Sequence, residues 1–266
     1  MLASRPSTAL MLPNSARRKI LLATALSPLC PAARAVQPAA LTEAQIGIGL
    51  TKPPYILGPG MTGIEYDIAS RALEASGVRM LAQHLPPARA LALLRAGRLD
   101  GMLTVDEGIG SLGFFSDTYM HYQNVATTLA RRQIRLSSID DLEHYSVAAF
   151  QNASLILGPE FKALAARHRD YKEHPQQITQ NRLLYTGRVD VAVGDKLIFR
   201  YLNRQVDASI DTSQPLVHHP LFTPSARKAV FRDAMLRDAF NAGLKTIRQN
   251  GTYAAIVKKY QEYMTP

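Results

Sequence analysis

Cysteine is almost absent from this chain: Cys30 is the sole one among 266 residues. No intrachain disulfide and no multi-thiolate metal site can form, so stability must come from burial, which a chain of this length can supply. Long apolar runs are scarce as well. The clearest, Ile20 to Leu29, is half the length that a bilayer span requires, so no stretch reads as a membrane-crossing helix. Basic runs with interleaved aromatics are missing, and the arginines are scattered among acids, which excludes a nucleic-acid face. No His-x-x-x-His spacing with a third ligand occurs. His218 and His219 are adjacent and would point to opposite faces of an extended strand, so no metal centre is expected, and nothing in the sequence calls for a cofactor.

What is present begins with an address. Residues 1–35 combine a basic stretch (Arg17, Arg18, Lys19), the apolar segment Ile20 to Leu29 and a small-x-small site at Ala33-Arg34-Ala35, the layout of an export signal. Arg17-Arg18 has a partial likeness to a twin-arginine signal, with Ala16 where Ser or Thr usually stands, and both export routes stay open. Leu29 is too large for the residue before a lipid-modified cysteine. The formal net charge of +10 owes half its size to this segment, since without its five basic residues the chain carries 26 basic and 21 acidic residues, or +5. A soluble periplasmic protein is the expectation.

Beyond a Pro- and Ala-rich stretch, the pattern alternates strand and helix. Residues 46–50 read as a strand stopped by Lys52-Pro53-Pro54-Tyr55, and Gly63 opens a helix that ends at Ser76-Gly77. Strand 78–85, helix 87–96 and strand 101–105 follow, a βαβαβ unit. The pattern restarts with strand 146–150, helices 159–168 and 177–185, and a strand ending at Gly194-Asp195. Two near-copies mark the repetition: Leu94-Arg95-Ala96-Gly97-Arg98-Leu99-Asp100 and, ninety residues later, Leu184-Tyr185-Thr186-Gly187-Arg188-Val189-Asp190. In each, Gly sits where a helix needs a left-handed residue to stop, and Asp opens a short apolar run. A C-terminal helical stretch, 232–263, is interrupted at Asn250-Gly251. Two α/β lobes in one chain imply a ligand held between them, because open parallel sheets bind at the carboxyl ends of their strands.

Five segments resemble the family 3 extracellular solute-binding proteins, the periplasmic receptors that feed polar solutes to ABC importers. They are the first strand with Pro54-Tyr55, Gly63-Ile64-Glu65-Tyr66-Asp67-Ile68, Leu94 to Asp100, Phe115-Ser116-Asp117-Thr118-Tyr119, and Asn250-Gly251-Thr252-Tyr253 with Ile256 and Lys259-Tyr260. The resemblance implies a type II, two-lobed α/β fold joined by two hinge strands. The first lobe would take 44–122 plus 218–266 and the second 123–217, with crossings near His121-Tyr122-Gln123 and His218-His219-Pro220. It also implies capture of a small polar, amino-acid-like solute by a monomer, and delivery to a membrane permease or a sensor receptor without chemistry. One departure bears on the ligand. Receptors of this family usually carry Thr-x-x-Arg after the third strand, and its arginine grips a carboxylate bidentately. Here the stretch runs Thr104-Val105-Asp106-Glu107-Gly108-Ile109-Gly110-Ser111, with two acids and no arginine, which argues against an unmodified α-amino acid and for a cationic or amine-bearing ligand.

The candidate ligand-binding residues are Tyr55, Glu65, Arg89, Thr104, Phe150, Gln151, Asn152 and Asp195. Tyr55 follows two prolines and would wall the pocket or pack a lobe. Arg89 opens a helix where a cation is unfavourable, so it would hold the missing carboxylate partner or simply face solvent. Phe150-Gln151-Asn152 leads into a helix whose amides would bind an oxygen or merely be capped. Asp195 matches the acid that the resembling receptors keep for a ligand amine, and would equally cap the next helix. Glu65 opens a helix where acids are favoured anyway. Thr104 offers a hydroxyl, and Lys52 would approach a ligand from the first loop or face solvent. Two alternatives share this scaffold: an enzyme like the cyclohexadienyl dehydratases, with Asp106, Glu107, Glu65 or Asp195 transferring a proton, and a stand-alone periplasmic sensor. No catalytic residue is expected on the receptor reading.

Overall fold

The computed structural model describes residues 42–58, 61–105 and 113–262. The expected export segment, Asp106 and Glu107 lie outside them. All described residues belong to one unit, 40–266.

The chain runs β1 (Glu43–Ile48), α1 (Ile64–Glu74), β2 (Arg79–His84), α2 (Pro87–Arg95), β3 (Gly101–Val105), β4 (Phe114–Phe115) and β5 (Met120–Tyr122). It continues through β6 (Asn124–Leu129), β7 (Val147–Phe150), α3 (Ala153–Ile156), α4 (Pro159–Arg167), β8 (Tyr171–His174), α5 (Ile178–Tyr185), β9 (Val191–Asp195) and α6 (Lys196–Asn203). The last elements are β10 (Leu216–His219), β11 (Ser225–Phe231), α7 (Ala234–Gln249) and α8 (Thr252–Glu262). Two sheets form. The first has the order β2-β1-β3-β11-β4, with β5 also on β11, and the second β10-β6-β9-β7-β8. In each, three strands run parallel through βα crossovers, β1 with β2 and β3, then β7 with β8 and β9. Antiparallel strands complete them: β11 on β3, and β6 on β9 with β10 on β6. The chain leaves the first sheet at Tyr122 and enters the second at Asn124. It returns between His219, still paired in β10, and Ser225.

The sequence repeat is a repeat of hydrogen bonding. Gly97 and Gly187 have φ of 68° and 70°, the left-handed geometry that ends α2 and α5. Asp100 then accepts from Gln45 N at 2.8 Å and Asp190 from Ser146 N at 3.1 Å, so each carboxylate ties its turn to the start of the neighbouring strand. Each is also clamped by an arginine from elsewhere in the chain, Arg232 on Asp100 and Arg132 on Asp190.

Each sheet carries an apolar core, and the first also takes in Ile198 of α6. Ile46, Ile48, Ile68, Leu73, Phe231, Phe240 and Leu244 fill one, and Val147, Phe161, Leu164, Val191 and Val193 another. The interrupted C-terminal stretch divides as its sequence predicts, α7 and α8 meeting at Asn250-Gly251 with Gly251 at φ 84°. Helix α7 lies so close to α1 that a Cβ on Gly243 would fall 1.7 Å from the Ala72 carbonyl oxygen. Among the described residues no helix is long and apolar enough to cross a membrane.

Candidate functional site

The site lies where the chain crosses between the sheets. After β1 the chain turns at Lys52, whose carbonyl accepts from both Tyr55 N and Ile56 N at 2.9 Å. This turn carries Tyr55 inward until it is 1% exposed, and its ring stacks on that of Tyr122 at 4.1 Å between centroids. The Tyr55 hydroxyl donates to Asp195 at 2.9 and 3.0 Å. Asp195 ends β9 in the other sheet, so one side chain from each sheet meets here. The same carboxylate accepts from Leu197 N and Ile198 N, capping α6, and from Gln123 N in the crossing segment at 3.0 Å. Burial pushes the Asp195 carboxyl above the usual carboxylate range, and these four donors oppose the shift. Asp195 is thus a helix cap, one of its two sequence-based roles, and it also meets Tyr55 from the loop that follows β1.

Glu65 sits beside this pair, fully buried in the first turn of α1. It accepts from Thr104 Oγ1 at 2.5 Å, from Tyr122 OH at 2.8 Å and from the Tyr119 hydroxyl. Thr104, a β-branched residue, adopts φ 62°, and its N–H donates to Tyr119 OH at 3.0 Å. Such a conformation persists only where surrounding contacts over-determine it. Burial, with the charge of Glu65 and at Tyr55 also that of Asp195, raises Tyr55, Tyr119 and Tyr122 well above the ordinary phenol range, so all three stay protonated donors. Two cations flank the Tyr122 ring, Arg227 Cζ at 4.5 Å and Lys52 Nζ at 5.0 Å from its centroid. Burial lowers the Lys52 amine, against the pull of Glu65.

Of the eight candidates, the structure gathers Tyr55, Glu65, Thr104 and Asp195 into this one cluster. Arg89 is exposed in the first turn of α2, with no side-chain partner among the described residues. Phe150 ends β7 and packs on the second core, and Gln151 is exposed in the turn that follows. Asn152, at φ 65°, precedes α3, but its amide donates to Glu173 Oε2 at 2.6 Å and the Ser154 amide to Glu173 Oε1 at 2.9 Å. The amides expected to meet a ligand oxygen are held by the protein's own carboxylate, which Tyr171 OH also contacts at 2.7 Å. Tyr119, Tyr122, Arg227 and Glu173 were not on the sequence-based list of site residues. Tyr119 closes the Phe115-Ser116-Asp117-Thr118-Tyr119 segment and Tyr122 lies in the expected crossing, so two of the four carried a signal.

Paired α/β sheets, linked by short crossing segments with a buried polar cluster between them, define a two-lobed periplasmic-binding-protein-like fold. The sequence profile of the bacterial extracellular solute-binding proteins, family 3, matches residues 45–263, and the chain belongs to that family. Solved structures agree in fold. An ancestral cationic amino acid solute-binding protein is 19% identical, covering 84% of this chain and 96% of its own with a TM-score of 0.64. The second substrate-binding domain of a putative amino acid ABC transporter from Streptococcus pneumoniae is 20% identical, covering 82% and 99% with a TM-score of 0.62. A histidine kinase sensor domain with similarity to periplasmic binding proteins is 21% identical, covering 83% and 96% with a TM-score of 0.60. Comparison with curated protein sequences finds no match.

Proposed function

We propose that this protein is a periplasmic receptor that captures a small polar, amine-bearing solute between its two lobes and presents the closed form to the permease of an ABC importer. The observation that carries this reading is the contact of Tyr55 with Asp195, which joins a loop of the first sheet to a strand end of the second through one buried carboxylate. A protonated amine is the natural partner of such a group, because it supplies both charge and hydrogen-bond donors where the Tyr55 hydroxyl supplies only a donor. Contacts to both lobes exist together only when the lobes are closed, so a solute that makes them shifts the population toward closure by its differential affinity.

Binding without turnover is the simpler reading of the cluster. Glu65 accepts from three hydroxyls and Asp195 from a hydroxyl and three amides, an arrangement that fixes carboxylates as acceptors rather than presenting them to a substrate proton. The test is a thermal unfolding screen with amino acids, amines, organic acids, short peptides and prephenate. A solute at about one hundred times its dissociation constant adds roughly 2.7 kcal/mol of stability, a rise of several degrees. A selective rise with amine-bearing solutes is the expected result. A response to prephenate accompanied by its turnover would replace this reading with an enzymatic one, and a flat screen would remove small-solute capture.

A further inference from the structure

We propose that Tyr55 is a built-in latch: its hydroxyl, resting on Asp195, holds the two lobes closed before any solute is bound, and a solute amine has to take its place. The replacement by an amine rests on the receptor reading above, whereas the latch itself rests on contacts that the protein makes alone.

Tyr55 is fixed to the first lobe through both backbone and ring. Its N–H donates to the Lys52 carbonyl at 2.9 Å, and its own carbonyl accepts from Glu65 N, in the first turn of α1, at 3.0 Å. The neighbouring Pro54 carbonyl accepts from Ile64 N at 3.1 Å. The ring lies buried against Tyr122, the last residue of β5. Asp195 is fixed as firmly to the second lobe, as the end of β9 and the cap of α6. With both partners held, the hydroxyl and the carboxylate part only when the lobes do. A buried hydrogen bond to a carboxylate is among the stronger ones in proteins, so this one resists opening.

Two further contacts act in the same direction. Leu197, Ile198 and Leu202 of α6 pack on the first core, so separating the lobes would strip apolar surface as well as break the hydrogen bond. Gln123 Nε2, in the outgoing crossing, donates to the Phe222 carbonyl in the returning one at 3.1 Å. None of these contacts needs a solute. The carboxylate itself is saturated: the Tyr55 hydroxyl and the amides of Gln123, Leu197 and Ile198 fill the roughly four acceptor positions that two oxygens offer. An amine therefore reaches Asp195 only where the hydroxyl has withdrawn, and it then closes the lobes in the hydroxyl's stead.

The test is the lobe-to-lobe distance, measured by double electron–electron resonance between spin labels on Ala75→Cys and Ala163→Cys. Both positions are exposed, one after α1 and the other in α4, and Cys30→Ser removes the chain's own thiol. The parent without solute should give a single short distance. Tyr55→Phe keeps the ring and its stacking, and should give a longer and broader distribution that shortens when a binding amine is added. Arginine, lysine and cadaverine are the probes. In calorimetric titration Tyr55→Phe should bind whichever of them the parent binds about threefold or more tighter, because the hydroxyl no longer competes. A tyrosine that only packs, or that only touches the solute, would give equal or weaker binding. A parent as open as the variant, or a variant as closed as the parent, would overturn the latch. Failure of all three probes to bind either protein would overturn the amine's part and count against the receptor reading, while the distances without solute still decide the latch.

Discussion

At the scale of single residues, Glu65 and Asp195 look alike in burial and differ in what they hold. Glu65 anchors three hydroxyls of its own lobe's elements, whereas Asp195 joins a helix cap to a tyrosine from the other sheet. Glu65→Leu leaves those hydroxyls buried without an acceptor, and urea unfolding should register a loss of roughly 3 kcal/mol or more. Glu65→Gln keeps one carbonyl oxygen and should lose markedly less. Asp195→Asn separates stability from binding. Asn caps a helix as well as Asp does, so the amides of Leu197 and Ile198 keep their acceptor. Because burial raises the Asp195 pKa, the native charge weakens the fold as pH rises from the ordinary carboxylate range through the raised value. The Asn variant escapes that loss, so its melting midpoint at neutral pH should equal or exceed that of the parent while its affinity for an amine falls more than tenfold. His218 works in the opposite pH direction. Burial, with Lys196 and Arg200 nearby, pushes its pKa down to about 4. The unfolded chain therefore takes up a proton between about pH 6.5 and 4 that the folded chain refuses, and stability is lost as pH falls through that window. His219, also lowered by burial, adds to the loss in the same direction. With solvent screening of its half-buried ring, His218 should account for on the order of 1–2 kcal/mol, measured as the smaller acid sensitivity of His218→Asn in urea midpoints at pH 4.5 and 7.

At the scale of elements, the two Gly-Arg-x-Asp turns do equivalent work in separate sheets. Asp100→Ala and Asp190→Ala should each cost about 1–2 kcal/mol, and the double variant should show their sum, since distant independent sites add. Gly243→Ala should cost about 3 kcal/mol or more, because its Cβ meets the rigid backbone of Ala72. Gly77→Ala meets open space, and its φ of 79° should cost only about 1–2 kcal/mol. These elements were legible in the sequence because their signals are local: a Gly stop, an Asp opening a strand, and a helix break at Asn250-Gly251. β6 and β11 were not read as strands, because they pair with segments far away in sequence and carry no repeat. The site divides along the same line. Tyr55 and Asp195 stand out beside prolines and at a strand end. Nothing in spacing ties Glu173 to the amides of Asn152 and Ser154, or Arg227 to the ring of Tyr122, since these contacts exist only once the sheets are assembled.

At the scale of the whole molecule, the two sheets are joined by the crossing segments, by the polar cluster and by an apolar contact in which Leu197, Ile198 and Leu202 of α6 pack on the first core. On the proposed receptor reading, closure changes these polar contacts together with the apolar packing of α6, and a solute can replace or extend the polar ones. Affinity for the solute should accordingly respond to the charge on Asp195 far more than global stability does. The most direct measurement is a calorimetric titration of the parent protein and Asp195→Asn with the solute that raises the melting midpoint most. Saturable one-to-one binding to the parent and at least a tenfold weaker constant in the variant, with folding unchanged, is the expected result. Equal affinity in both proteins would contradict it, placing the solute away from the contact between the two sheets.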